Sequence, residues 1–246
     1  ADGVDAVRKA AREELRRGAF QVKIMASGGV ASPTDPIWNL QYSLDEMRAI
    51  VEEAHGWRTY ALAHAYTPEA ITRAVRAGVR SIEHGNLIDA ETAALMAREG
   101  AFLVPTLVTY FKIEELGRAL GFPAVSQRKV KDVLDAGLAS LEIAKAAGVA
   151  IGFGTDLLGE THEHQNQEFA IRARVLPAAE ILRSATLVNA TLLRREGELG
   201  VVAPGALADL LVVDGDPLAD VTLLAEPEKQ LAAGMKGGEC ALGRLG

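Results

Sequence analysis

AFQVKIMASGGVASPTD, residues 19–35, places Lys23 inside a short apolar segment and brings it to the edge of the glycine pair Gly28-Gly29. Val22 and Ile24 with the small residues around them read as a buried strand. An ammonium in such a strand costs several kcal/mol unless it is paired, neutralised or chemically modified. The flanking sequence decides what kind of sheet this strand joins.

Upstream, Asp2 to Arg17 carries apolar residues at helical spacing, and Gly18 closes that helix. Downstream, SLDEMRAIVEEAH offers Ser43 as N-cap with Glu46 three positions on, a capping box opening a second helix. TYALAHAY then reads as a strand, TPEAITRAVRAG as a helix with Pro68 in its first turn, VRSIEHGN as a strand and DAETAALMAREG as a helix ended by Gly100. AFLVPTLV reads as a strand, QRKVKDVLDAGLASLEIAKAAG as a long helix and VAIGFGTD as a further strand. Each strand is a near-continuous apolar run and each is followed by a helix, the pattern of parallel strands covered by helices. Polar residues recur at the carboxyl end of these strands: Lys23, His64 with Tyr66, His84, and Asp156. In a (β/α) barrel the chemistry sits at that end, drawn from several strands. Five strands are counted where a closed barrel has eight. After Asp156, PAAEILRSATLVNATLLRRE reads as helical, and the Gly- and Pro-punctuated tail, with a strand at Asp209 to Val213, reads as a small β-appendage.

The chain has 246 residues, a net charge of −7 and 49% apolar residues. No apolar run approaches the twenty or so residues of a membrane span, and the basic residues do not cluster with aromatics as a nucleic-acid surface would. The expected partner is a small molecule, with no nucleic acid and no membrane, and a homo-oligomer stays open. Cys240 is the single cysteine, which rules out an internal disulfide framework and fits a reducing, cytoplasmic compartment. Residues 1–17 read as a helix and not as a signal peptide.

Two histidines, an aspartate and a lysine at equivalent strand ends point to a metal site. Imidazole and carboxylate suit zinc or a similar divalent ion, whereas an ammonium has no lone pair to offer. One change reconciles Lys23 with the rest: a neutral amine adds carbon dioxide to give a carbamate, a carboxylate on a long arm that can bridge two cations. The plainer readings are a snorkelling or ion-paired Lys23, hydrogen-bonded core histidines at His64 and His84, an N-cap at Asp156 and a packing role for Tyr66. His162 and His164 form a His-x-His on a polar loop and read as loop residues more readily than as ligands. Ser27-Gly28-Gly29 reads as a tight turn before it reads as an anion nest, and His55 reads as structural.

VKIMASGGV, AHAYTPEAI, SIEHGNLID, GFGTDLL, SATLVNA, and GELG with PGALADLLVVDGDPL occur in this order. Together they resemble the metal-dependent amidohydrolase superfamily, in its branch of prolidase-like Xaa-Pro dipeptidases and carboxypeptidases related to imidazolonepropionases. The resemblance runs from about Asp2 to Gly238, and only the closing ECALGRLG departs from it. It implies an α/β fold, a (β/α) TIM barrel of amidohydrolase type, with strands four to eight in residues 1–196 and the C-terminal part of a small β-sandwich domain in residues 197–246. It implies a binuclear centre of two divalent metal ions of the zinc type. Lys23 would be the carboxylated lysine bridging them, with His64 and His84 holding the second metal. Asp156 would bind the first metal and carry the catalytic proton, while Tyr66 would contact substrate. The implied reaction is amide hydrolysis of Xaa-Pro dipeptides or N-acyl amino acids through a hydroxide held between the metals. Relatives that take imidazolones, lactones or carbamates are the alternative. The superfamily also places a His-x-His on its first strand, and none precedes Lys23, so the chain is read as a C-terminal portion lacking the first strands. Two further readings stay open: a Schiff-base lysine as in barrel aldolases, and an inactive fragment.

Overall fold

The computed structural model describes residues 1–243; Arg244 to Gly246, the last part of the ECALGRLG segment, lie outside the described residues. The chain divides into two compact units: Ala1–Pro105 with Tyr110–Ile151, and Thr106–Thr109 with the chain from Gly152 onward.

The first unit is built on a five-stranded, all-parallel sheet in sequential order: β1 (Val22–Met25), β2 (Ala61–Ala65), β3 (Ser81–His84), β4 (Phe102–Val104) and β5 (Ala150–Ile151). Its helices are α1 (Val4–Arg16), α2 (Leu44–Gly56), α3 (Pro68–Ala77), α4 (Ala90–Glu99), α5 (Leu107–Leu116) and α6 (Ala124–Ala146), of which α5 begins in the second unit. The helix starts are written locally. Ser43 Oγ accepts the Glu46 N–H at 3.2 Å while Glu46 Oε2 accepts the Ser43 N–H at 2.6 Å, the reciprocal capping box. Thr67 and Asp89 cap α3 and α4 in the same sense, and both helices end on glycines in the left-handed region, Gly78 and Gly100. Along α1 Val7, Ala11 and Leu15 recur every fourth residue and are buried. They join Val22, Ile24, Ala61, Ala63, Ile82 and Leu103 of the sheet, with Met47, Ile50, Ile71 and Met96 of the helices, in one core on the helix-covered face.

Strand register decides what lies on the opposite face. Lys23 pairs with Leu62, which pairs with Ser81, which pairs with Phe102; Met25 pairs with His64, which pairs with Glu83, which pairs with Val104. Because side chains alternate across a strand, these residues share the face away from the core.

Three expectations need correction. Lys23 is exposed, not buried: β1 is an edge strand with burial alternating at Val22 and Ile24 against Lys23 and Met25, so only its helix-facing residues enter the core. The AFLVPTLV segment is not one strand: β4 stops at Val104, Pro105 has no N–H to extend the ladder, Thr106 turns at φ 48°, and α5 starts at Leu107. The strand expected across VAIGFGTD is limited to Ala150–Ile151.

In the second unit α7 (Gln167–Arg172), α8 (Ala178–Arg183) and α9 (Asn189–Leu192) are short, with a π-helical turn at Ser184–Val188 inside the segment read as one helix. A short α10 (Pro227–Gln230) precedes two of the strands of an antiparallel sheet formed by β6 (Leu210–Val213), β7 (Leu231–Lys236) and β8 (Glu239–Gly243). Arg172 and Glu168 are both fully buried and paired at 2.7 Å. Among the described residues no helix is long and apolar enough to cross a membrane.

Candidate metal centre

Strands β1, β2 and β3 bring Lys23, His64, Tyr66 and His84 into one part of the first unit, Lys23 from within β1 and the other three from the carboxyl ends of β2 and β3. His64 and Tyr66, two residues apart, follow the alternation onto the same face, and their rings lie 4.7 Å apart edge to face. His84 pairs with Ala65 and belongs by register to the core-facing row. Its backbone leaves that pattern with φ 78°, an uncommon conformation for a residue with a Cβ. Its ring ends 4.6 Å from that of His64 and 5.5 Å from that of Tyr66. The strain therefore coincides with the residue whose side chain has to change faces. Gly85 follows at φ 62°, where a Cβ would sit 2.5 Å from Leu103 Cδ1.

His84 is 1% exposed. Burial first, then the neighbouring His64 and Lys23, hold its imidazole well below the ordinary histidine pKa, so it is a neutral ring with a lone pair to donate. His64 Nε2 lies 3.0 Å from the Gly28 carbonyl oxygen. If that nitrogen donates its proton, Nδ1 keeps the lone pair, the arrangement by which a backbone carbonyl fixes a metal ligand's tautomer.

The glycine turn beyond β1 is shaped by close approach. A Cβ on Gly28 would lie 2.0 Å from the Pro36 carbonyl oxygen, so only glycine fits there. Ser27 Oγ accepts the Tyr66 N–H at 3.4 Å. The loop after the turn is tied to α6 by Lys129, whose Nζ donates to the carbonyls of Gly29 at 3.1 Å, Ser32 at 2.6 Å and Asp35 at 2.6 Å. Three donors meet three acceptors, which satisfies the ammonium.

Asp156 belongs to the second unit, five residues beyond Ile151, exposed and at φ 47°. His162 and His164 lie on a 3-10 turn over Gly159–His164, with His164 Nδ1 3.5 Å from Gln167 Nε2. His55 is exposed on the last turn of α2, and Cys240 is exposed on β8. Two residues of the cluster are not among those the sequence singles out. Glu83 shares the face of His64 and donates no proton but accepts the Ser81 hydroxyl at 2.6 Å. Tyr110 on α5 brings its hydroxyl 2.9 Å from that of Tyr66 and its ring 5.7 Å from His84; Pro105 is the signal that the strand ends early enough for α5 to bring it there.

Among the described residues no group of three or more His, Cys, Asp and Glu side chains forms a metal cage. The donor chemistry still fits part of one. Two adjacent imidazoles, one of them held neutral, are sound ligands for a zinc-type ion, and Lys23 becomes an oxygen ligand only as a carbamate.

A parallel sheet clad in helices, with histidines and a tyrosine at the carboxyl ends of adjacent strands and a lysine on the neighbouring strand, defines an α/β protein of the (β/α)-barrel class. The chain belongs to the amidohydrolase family, whose profile matches residues 1–240. It is 32% identical to ochratoxinase of Aspergillus niger over 240 residues, which cover 97% of this chain and 50% of that protein. A solved prolidase in complex with N-methylphosphonate-L-proline is 55% identical, with TM-score 0.97, covering 99% of this chain and 60% of that one. A solved Xaa-Pro dipeptidase with methionine bound in its active site is 33% identical, with TM-score 0.91, covering 99% and 59%. The chain thus spans about half the length of this curated relative and about three fifths of the solved ones.

Proposed function

We propose that the protein is a metal-dependent hydrolase of amide C–N bonds, a dipeptidase or carboxypeptidase acting on Xaa-Pro dipeptides or N-acyl amino acids. The observation that carries this reading is the His64–His84 pair, rings 4.6 Å apart at adjacent strand ends, with His84 turned into the pair by a left-handed backbone. The likeness to a prolidase that takes a phosphonate analogue of a proline-containing substrate, and to a Xaa-Pro dipeptidase, supports the substrate class.

In this reading His64, His84, Asp156 and a Lys23 carbamate hold two divalent ions, most simply Zn2+. Bound there, the ions lower the pKa of water toward neutrality and polarise the scissile carbonyl. The chain's own groups do the rest. Asp156 takes the proton of the attacking water and delivers it to the departing nitrogen, which leaves poorly as an anion. Tyr66 donates a hydrogen bond to the scissile carbonyl or the substrate carboxylate, next to the two imidazoles. Glu83, on the same face as His64, adds a carboxylate whose position Ser81 holds. Against a Schiff-base aldolase stands the paired set of imidazoles at His64 and His84, which a Schiff base does not require.

The test is hydrolysis of Met-Pro and N-acetyl-proline by the full-length protein with and without a chelator, alongside borohydride trapping with a carbonyl compound. Chelator-sensitive cleavage restored by zinc is expected. Cleavage insensitive to chelation, or a borohydride adduct at Lys23, would overturn the reading.

A further inference from the structure

The hydroxyls of Tyr66 and Tyr110 form a buried pair that the proposed chemistry leaves unexplained. Both side chains are 2% exposed, and the Tyr110 hydroxyl donates to the Tyr66 oxygen at 2.9 Å. The rings lie 6.0 Å apart edge to face. Around them Val30 and Ile37 of the loop after β1, Ile113 of α5, and Val130 and Val133 of α6 close an apolar shell. A hydrogen bond in such a shell is stronger than in water, and a hydroxyl left without its partner there is costly.

A phenol has one hydrogen. Where Tyr110 donates to the Tyr66 oxygen, Tyr66 cannot return its own hydrogen along the same line, so that hydrogen is directed elsewhere. The Tyr66 ring is within 5.5 Å of both His64 and His84. Tyr110 therefore governs two properties of Tyr66: where its oxygen sits and which way its proton can point. The fold builds this arrangement from the end of the fourth strand. β4 ends before Pro105, the backbone reverses through Thr106 at φ 48°, and α5 carries Tyr110 back toward the ends of β2 and β3. The fourth strand has no polar residue at its own tip, and Tyr110 stands in for one.

We infer that Tyr110 is a positioning residue for the hydrolytic reaction, acting through Tyr66 by orienting its hydroxyl as a hydrogen-bond donor to the substrate. The inference rests on the proposed function, in which Tyr66 touches substrate. Tyr110 does not touch substrate itself. Its contribution vanishes when Tyr66 has no hydroxyl, which is what separates this role from plain packing.

The experiment is a double-mutant cycle in the metal-loaded full-length enzyme, measuring kcat and KM for Met-Pro with Tyr66→Phe, Tyr110→Phe and the double variant, each with its urea midpoint. Phenylalanine keeps both rings and removes only the hydroxyls. Tyr110→Phe is expected to lower kcat/KM about tenfold, the scale of one well-placed hydrogen bond, and to have no further effect in the Tyr66→Phe background. An equal loss in both backgrounds, or no loss in either, overturns the positioning role. Full activity of Tyr66→Phe instead refutes the substrate contact assigned to Tyr66, and wild-type protein inert toward Met-Pro refutes the function on which both rest. A loss that follows the urea midpoint alone makes Tyr110 a packing residue.

Discussion

Replacing Lys129 with methionine keeps the aliphatic stem and removes the ammonium that ties the loop after β1 to α6. Three carbonyls lose their donor: Gly29, buried, and Ser32 and Asp35, half-buried. The two half-buried carbonyls can turn to water, so each loses about 0.5–1 kcal/mol, the net worth of an ordinary hydrogen bond. The Gly29 carbonyl has little access to water and loses about 1–3 kcal/mol. The sum is about 2–5 kcal/mol, which at about 2 kcal/mol per molar urea shifts the midpoint by about 1–2.5 M. The damage should be local. Residues 28–37 should lose amide-exchange protection while β2 and β3 keep theirs, because the ammonium touches only the loop. Gly28, whose carbonyl faces His64, sits at the base of that loop, so zinc affinity should fall as well. Urea titration, exchange mass spectrometry and a zinc-binding isotherm read the three effects. An unchanged midpoint with unchanged exchange over residues 28–37 would refute the clamp and the support it lends to His64.

Other perturbations separate the forces in each unit. Arg172→Met strands the fully buried Glu168 carboxylate and should destabilise the second unit by about 3–5 kcal/mol; the double variant with Glu168→Leu should recover part of that loss in thermal unfolding. Asp89→Ala removes the cap of α4 and should cost about 1 kcal/mol. The Thr92 backbone N–H, then its side chain, lower the Asp89 pKa in the fold. The cap therefore contributes fully above the unfolded value of about 3.9 and fades as pH falls through the lower folded value, so wild type and Asp89→Ala should converge in unfolding runs at acid pH. Gly85→Ala puts a methyl 2.5 Å from Leu103 Cδ1 on a backbone at φ 62° and should destabilise by about 1–3 kcal/mol. Calorimetry at neutral pH checks it, and a stable variant would contradict the fit beside His84.

What is legible in the sequence is local. The Ser43 and Glu46 capping box and the closing Gly100 depend on residues a few positions apart, and each forms as read; the Thr67 and Asp89 caps follow the same local rule in the structure. The repeating apolar strands announce the parallel sheet for the same reason. The exposure of Lys23 is not legible, because apolar neighbours in a strand tell that one face is covered but not which residues point to it. His64 and His84 can be placed at strand ends by pattern, but their contact depends on a left-handed backbone at His84 that no residue type announces. The Lys129 clamp joins positions 94 to 100 apart, and the Tyr66–Tyr110 pair spans 44; separations of that size follow from packing, not from spacing. Asp156 reads in the sequence as a strand-end aspartate, but β5 stops at Ile151, five residues short of it; its role with the histidines is part of the proposal.

Lys23, as a carbamate, is proposed to join His64 and His84 in holding two divalent ions. Metal analysis of the full-length protein and its Lys23→Ala variant, purified identically with zinc and bicarbonate present, tests it most directly. Two zinc ions per wild-type chain, falling to one or fewer in Lys23→Ala, is the predicted result; two ions retained without the lysine would contradict it.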